Sequence, residues 1–427
     1  MSEEERFDAI IIGAGPAGSS CAYTLAKAGK SVLLVERGAS AGSKNVTGGR
    51  LYTYALEMIE PGLHERAPLQ RKVVREQIMT LAERSAVTID YVDYGFGEDV
   101  PQSYTVLRAP FDEWFAAEAE AQGAATACGI LVDELLEEKG FITGIRAGED
   151  EIRADVVVAA DGINSLIAQK AGLFGDITPK HVGVGVKEII ELPEEVIRAR
   201  FNLVGDEGAA RVILGCTEGI AGGGFLYTNQ DSLSLGIVFN PEEAAKHGKK
   251  IHEILQDLKT HPALAPLLEG GTTTEYAAHL VPELGLSGVP KKLFREGLLV
   301  IGDAAGFAIN AGISLRGIDL AIVSGLAAAK AILKTENSAQ VGPVYLEELE
   351  NLHLLPTMRL FAGWHQIMSI PRLYTEYPRI VDEAMRFLFT VDGKVPEKAT
   401  KAMKGIVKKH VSLVKLASDA WKAVRAI

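Results

Sequence analysis

The feature that most constrains this chain is the apolar run Phe7–Ile12, followed at once by GAGPAG and a small-residue stretch from Pro16 to Gly29. A β-branched run, a glycine turn and a helix-forming segment in that order predict a strand, a tight turn and a helix closed by glycine. Ser31–Glu36 (SVLLVE) reads as a second buried strand. Two strands joined through a helix require a right-handed crossover and hence a parallel sheet. The expected fold is therefore α/β, with a Rossmann-like nucleotide-binding unit at its start.

The turn matches G-x-G-x-x-G through Gly13, Gly15 and Gly18, with Ala14, Pro16 and Ala17 between them. Gly13 permits the tight turn, Gly15 lets a pyrophosphate approach the backbone, and Gly18 allows close packing of helix on sheet. The helix N-terminus favours the anion, and Glu36 is placed to accept hydrogen bonds from ribose hydroxyls. A lone fingerprint does not separate NAD from FAD. A second strand-and-turn decides: Gly297–Ile301 runs into GDAAG, where Gly302, Asp303 and Ala304 bring a carboxylate to a ribitol hydroxyl and backbone amides to the pyrophosphate. Two such segments so far apart in the chain suit an elongated dinucleotide, FAD.

Composition removes other classes. With 427 residues, 47% of them hydrophobic, the chain can build one large or two medium domains. Its net charge of −12 argues against nucleic acid as a partner. The acidic opening MSEEERFD has no basic n-region, so no export is expected. The stretch Leu320–Ala329 falls short of the roughly 20 apolar residues of a membrane span. Three cysteines without a CxxC pair suit a reducing, cytoplasmic setting. Histidines at metal spacing and a GxSxG elbow are both missing from the sequence, so the cofactor is expected to carry the reaction.

Further along, Val87–Tyr94 and Tyr104–Arg108 read as strands and Phe111–Gln122 as a helix. Phe141–Arg146 and Ile152–Ala160 are two β-rich runs, the second ending in Asp161-Gly162. From His181 to about Pro290, glycine and short β-patterned segments predict a separate, mostly antiparallel sheet. A long small-residue helix is expected from about Ile313 to Leu333, and helices follow from about Val341.

These residues carry a family resemblance. The first unit, Asp161-Gly162 and GDAAG together resemble the FAD-binding pattern of the glutathione-reductase-like flavoproteins, in the branch with p-hydroxybenzoate hydroxylase and geranylgeranyl reductases. SKNVTGGRLY (Ser43–Tyr52), GVGVKEIIELP (Gly183–Pro193), GGGFLYTN (Gly222–Asn229), AAHLVPELG (Ala277–Gly285) and NAGISLRGIDLAI (Asn310–Ile322) resemble more narrowly the FixC-type electron-transfer-flavoprotein dehydrogenases, relatives of electron-transfer-flavoprotein:quinone oxidoreductase. The resemblance implies that Gly13, Gly15, Gly18 and Glu36 hold the adenosine diphosphate half, with Arg37 beside the adenine and Arg108 near the ribityl or phosphate. It also places Gly48, Gly49 and Arg50 in the loop beside the isoalloxazine, and Gly312 with Ile313 at its pyrimidine edge, where a helix start would stabilise negative charge on the ring. Val132, Asp161 and Gly162 join the cofactor-binding set. For Arg50, Arg108 and Arg316, a surface ion pair is the competing reading.

The resemblance implies a discontinuous FAD domain (residues 1–75, 100–175 and 291–335), a β-rich quinone or substrate domain (76–99 and 176–290), and a helical C-terminal region (336–427). Electron-transfer-flavoprotein:quinone oxidoreductases carry an iron–sulfur cluster on four thiolates, which three scattered cysteines cannot supply. The FixC-type resemblance implies instead a small ferredoxin-like subunit, alongside the alpha and beta subunits of an electron-transfer flavoprotein. The expected activity is electron transfer from that flavoprotein to a quinone in a FixABCX-like complex. Rivals are a stand-alone NAD(P)H-dependent reductase or hydroxylase, or a flavin-bearing assembly subunit. Residues Lys401–Ile427 hold seven basic residues and one acid, Asp419, beside an apolar stripe. Such a tail would lie on an anionic membrane face, dock on an acidic partner, or pack on its own domain.

Overall fold

A computed structural model describes residues 6–44, 48–175, 178–179 and 182–426. In chain order the strands are β1 (Arg6–Ile12), β2 (Val32–Glu36), β3 (Gly48–Tyr52), β4 (Leu69–Leu81), β5 (Ala86–Val92), β6 (Ser103–Leu107), β7 (Ala125–Cys128), β8 (Glu134–Glu138), β9 (Phe141–Ala147) and β10 (Asp150–Ala159). Then come β11 (Val182–Glu191), β12 (Glu207–Leu214), β13 (Gly222–Thr228), β14 (Ser232–Phe239), β15 (Thr272–Pro282), β16 (Phe294–Arg295) and β17 (Leu298–Val300). A short hairpin, β18 (Ile309–Asn310) and β19 (Leu315–Arg316), precedes the helix Ile318–Lys334. Residues 45–47 of the Ser43–Tyr52 motif, and His181, lie outside the described residues.

The first sheet has the order β16-β17-β10-β1-β2-β7, and its β17-β10-β1-β2-β7 core is parallel. Its central strands are continuous apolar runs because both faces are covered. Ile10, for example, is flanked by Leu33 and Val157, all three buried. The helix Pro16–Lys27 packs against Ile318–Lys334, and glycine permits the contact. A Cβ on Gly325 would lie 2.1 Å from the Ala17 carbonyl oxygen. Ser20 Oγ donates to the Ile322 carbonyl at 2.8 Å, and the Gly302 N–H donates to Ser324 Oγ at 2.9 Å. The GDAAG turn is thereby fixed to the opening glycine helix.

The second sheet has the order β15-β11-β14-β13-β12-β4-β6-β3, with β5 on β4. The stretch from residue 182 to Pro282 supplies five strands, and four more come from between Gly48 and Leu107. All pairs are antiparallel except β4 with β12. The sequence hides β4 because charged residues interrupt its alternation. Arg71 is nonetheless fully buried, donating to the carbonyls of Asn229 (2.6 Å), Gly205 (2.9 Å), Gln230 (3.0 Å) and Glu207 (3.1 Å). A guanidinium with satisfied donors can be buried where an unpaired one cannot.

The helix expected from Ile313 begins instead at Ile318. Residues 309–316 form the hairpin, whose turn uses Gly312 at φ +73° with its N–H donated to Asn310 Oδ1 at 3.0 Å. The C-terminal region is helical, including Val341–Asn351, Glu376–Phe389, Ala399–His410 and Leu413–Ala426. Asp419 is buried against Arg372, which gives it two hydrogen bonds of 2.6 Å, and Tyr377, whose hydroxyl donates a third of 2.6 Å. The last helix thus docks on its own region through its one acid, while Val414, Trp421 and Val424 of the apolar stripe stay exposed. No helix among the described residues is long and apolar enough to cross a membrane.

Candidate functional site

A cavity of about 980 Å³ is lined by both sheets and by residues 365–374, at the upper end of ordinary ligand sites. Its wall at one end is built by the glycine turn and the strand ends around it: Gly13, Gly15, Pro16, Ala17, Glu36 and Arg37, with Val132, Asp161 and Gly162. Gly302 and Asp303 follow, then Gly49, Arg50, Arg108 and Gly312. The structure therefore gathers fifteen of the twenty sequence-predicted positions around one space.

The other five sit behind that wall or away from it. Ala14 is buried, and its N–H donates to Glu36 Oε2 at 3.1 Å. Gly18 is a packing position, since a Cβ there would lie 1.9 Å from the Gly13 carbonyl oxygen. Ala304 is buried and accepts from Ser165 Oγ at 3.0 Å. Gly48 pairs with Leu107 between β3 and β6. Ile313, at the hairpin turn, is 56% exposed and does not line the cavity, and no helix starts beside it.

The residues present fit a dinucleotide. Gly13 holds φ +109°, which glycine adopts freely. A Cβ on Gly15 would meet no protein atom within 4 Å, so the backbone there is open to the cavity. Asp161 accepts the Ile167 N–H at 2.9 Å through one carboxylate oxygen. Its other oxygen, buried in the wall, has no protein hydrogen bond. Among the described residues the Asp303 carboxylate likewise forms no hydrogen bond, and burial pushes it above the usual carboxylate range against the pull of Arg108. Buried acceptors without donors are costly unless a ligand supplies them.

The three arginines are all held by carboxylates. Arg50 pairs with Glu76 and donates to Ser103 Oγ at 2.9 Å. Arg108 meets Asp112 at 3.0 and 2.9 Å, and Arg316 meets Asp319 at 2.9 Å. Among the cavity's titratable groups that sequence reading did not select are Lys187, His279 and Glu283. Lys187 stands on β11 in line with Gly183 and Gly185, and that period-two strip was the signal that would have found it. Burial, then Arg108, lowers its ammonium to about 8. His279 is exposed on β15 where it faces the cavity, and desolvation there, with the charges of Lys187 and Arg108, pushes its ring down to about 4. Glu283 is raised to about 7 by burial and by Glu243.

The comparisons with known proteins agree with this geometry. Residues 6–190 match an FAD binding domain, and residues 364–427 match the ETF-QO/FixC family C-terminal domain. The probable electron transfer flavoprotein-quinone oxidoreductase YdiS of Escherichia coli K12 is 45% identical, covering 99% of this chain and 100% of its own. Protein FixC of the same strain is 44% identical over the same shares, and that of Azorhizobium caulinodans is 39% identical over 99% of both chains. Among solved structures, a geranylgeranyl bacteriochlorophyll reductase-like protein from Thermoplasma acidophilum matches at TM-score 0.70 and 20% identity, covering 97% of this chain and 99% of that one. The chondrochloren halogenase CndH matches at 0.67 and 20%, over 95% and 97%; both show the shared fold. Full-length identity and the match to an FAD binding domain lead to one assignment: the chain is a member of the ETF-QO/FixC family, an FAD-dependent electron-transfer oxidoreductase.

Proposed function

We propose that this oxidoreductase takes electrons from an electron-transfer flavoprotein and passes them to a quinone. Bound FAD supplies the redox chemistry, and the chain binds, orients and shields it. Gly13, Gly15 and Glu36 would hold the adenosine diphosphate half, Asp161 and Asp303 would meet its hydroxyls, and Arg108 would lie along the ribityl. Gly49, Arg50 and Gly312 would flank the ring.

The observation that carries the quinone reading is the far end of the cavity. There Leu214, Val238 and the glycines 222–224 face the same space as Met368, Pro371 and Tyr374 of the C-terminal segment. A flat ring with an apolar body and carbonyl acceptors suits such a lining. The C-terminal region also exposes apolar side chains: Phe389 is 81% exposed, Val391 94% and Val395 95%, close in sequence to the basic tail. We place this C-terminal region on an anionic, cytoplasmic membrane surface, where a hydrophobic quinone resides. A ferredoxin-like iron–sulfur subunit would complete the complex, because the three cysteines fall short of a cluster's four thiolates.

Anaerobic mixing tests the reading. FAD-loaded protein is expected to be reduced by a reduced electron-transfer flavoprotein and reoxidised by a short-chain quinone. Rapid reduction by NADPH with no response to that flavoprotein would replace the proposal with a stand-alone reductase. Co-sedimentation with anionic but not neutral vesicles checks the membrane face.

A further inference from the structure

Glu283 follows β15 directly, in the AAHLVPELG segment. Its carboxyl group lies over β11 where Gly183 has no side chain, since a Cβ on Gly183 would come within 2.4 Å of Glu283 Oε1. Among the described residues this carboxyl makes no hydrogen bond and no ion pair, yet it lines the cavity at the end we assign to the quinone. Glu283 and His365 also both line a small adjoining void of about 10 Å³, room for roughly one water. His365 Nδ1 lies 3.0 Å from the Ala362 carbonyl and donates to it, which leaves Nε2 to accept a proton.

The neighbouring titratable groups are otherwise engaged. The Tyr374 hydroxyl donates to the Met368 carbonyl at 2.6 Å, and burial raises it far from neutrality. Glu243 accepts the Ala221 N–H at 2.7 Å. His279 faces the cavity with its pKa lowered to about 4 by desolvation and by the charges of Lys187 and Arg108, and Lys187 stands with Arg108 and Asp303. Reduction of a quinone needs two electrons and two protons, and among the described residues Glu283 is the acid left at this end to give one proton at a time.

We infer that Glu283 is the proton donor to the quinone, refilled through the water-sized void beside His365. This rests on the quinone reading above. The O–H bond of the Glu283 carboxylic acid breaks as an O–H bond forms on a quinone oxygen, while the electron pair arrives from the reduced cofactor. A proton taken up through His365 restores the acid, and a second transfer completes the quinol. Burial and Glu243 hold Glu283 near pH 7, so the acid is populated under ordinary conditions.

The test uses the FAD-loaded chain, Glu283→Gln and Glu283→Asp, each reduced and then mixed with a short-chain quinone or with ferricyanide, which takes electrons without protons. In Glu283→Gln the ratio of quinone rate to ferricyanide rate should fall about 100-fold, and Glu283→Asp should recover part of it. The parent's quinone rate should decline above about pH 7, a limb missing in Glu283→Gln. Infrared difference spectra should show a protonated carboxyl band that Glu283→Gln lacks. An unchanged ratio and pH profile in Glu283→Gln, with a parent that reduces quinone, overturns the Glu283 assignment alone. A parent that reduces ferricyanide but not quinone overturns both readings.

Discussion

Replacing Gly325 by alanine should destabilise the protein, although alanine is the better helix former. In an unhindered helix interior the change gains about 1 kcal/mol. Here the new Cβ would sit 2.1 Å from the Ala17 carbonyl oxygen, 3.1 Å from its carbon and 3.0 Å from Ser20 Cβ. Relief requires the helices Pro16–Lys27 and Ile318–Lys334 to part by about 1 Å, which costs about 1–3 kcal/mol as overpacking. The same movement strains the Ser20–Ile322 and Gly302–Ser324 hydrogen bonds, each worth about 1 kcal/mol. The net expectation is a loss of about 2 kcal/mol, read as a lower urea midpoint. FAD affinity should fall as well, because Gly302 precedes Asp303. Gly405→Ala is the control: a Cβ there meets nothing within 4 Å, so the same substitution in the helix Ala399–His410 should stabilise. If both variants shift the midpoint upward, the close-packing argument fails.

Three further expectations follow from the site and the C-terminal dock. Asp303→Ala should weaken FAD binding about 10- to 100-fold by fluorescence titration, the loss of one charge-assisted hydrogen bond, and an unchanged affinity would remove Asp303 from the site. In the apoprotein Lys187 is lowered to about 8 against an ordinary 10.5. Between those values the unfolded chain keeps a proton that the fold has lost, so stability should rise with pH across that window. Lys187→Met should abolish the rise, and urea melts at pH 8 and 10 would show it. Asp419 is held below its ordinary 3.8 by Arg372 and Tyr377. Its contribution is present above that value and lost as pH falls through the lower folded one. The midpoint gap between the parent and Asp419→Asn should therefore narrow as pH falls below 3.8, and a gap that does not narrow at all in acid would refute the linkage.

The sequence was most legible where local chemistry and global fold demand the same residue. Gly13, Gly15 and Gly18 must be small for the turn, the ligand and the packing at once, so the spacing alone locates the strand, the helix and one wall of the cavity. Asp303 was legible for the same reason, following a buried strand and opening a glycine turn. Legibility failed where a residue's reason lies in a distant partner. Arg71 and its neighbours look like a solvated face until the carbonyls of residues 205–230 surround the guanidinium. The helix expected at Ile313 was displaced because Asn310 and Gly312 favour a turn that no apolar periodicity announces. Lys187 and Glu283 went unread because strand alternation assigns a face without saying what that face encloses. On β11 the glycines 183 and 185 clear one side of the strand, and only the arrival of β15 and the C-terminal segment turns that clearing into a pocket. The glycine-turn wall is thus encoded locally, while the face proposed to receive the electron acceptor is encoded by tertiary contact, and substitutions in the first should be judged by FAD affinity and in the second by the choice of acceptor.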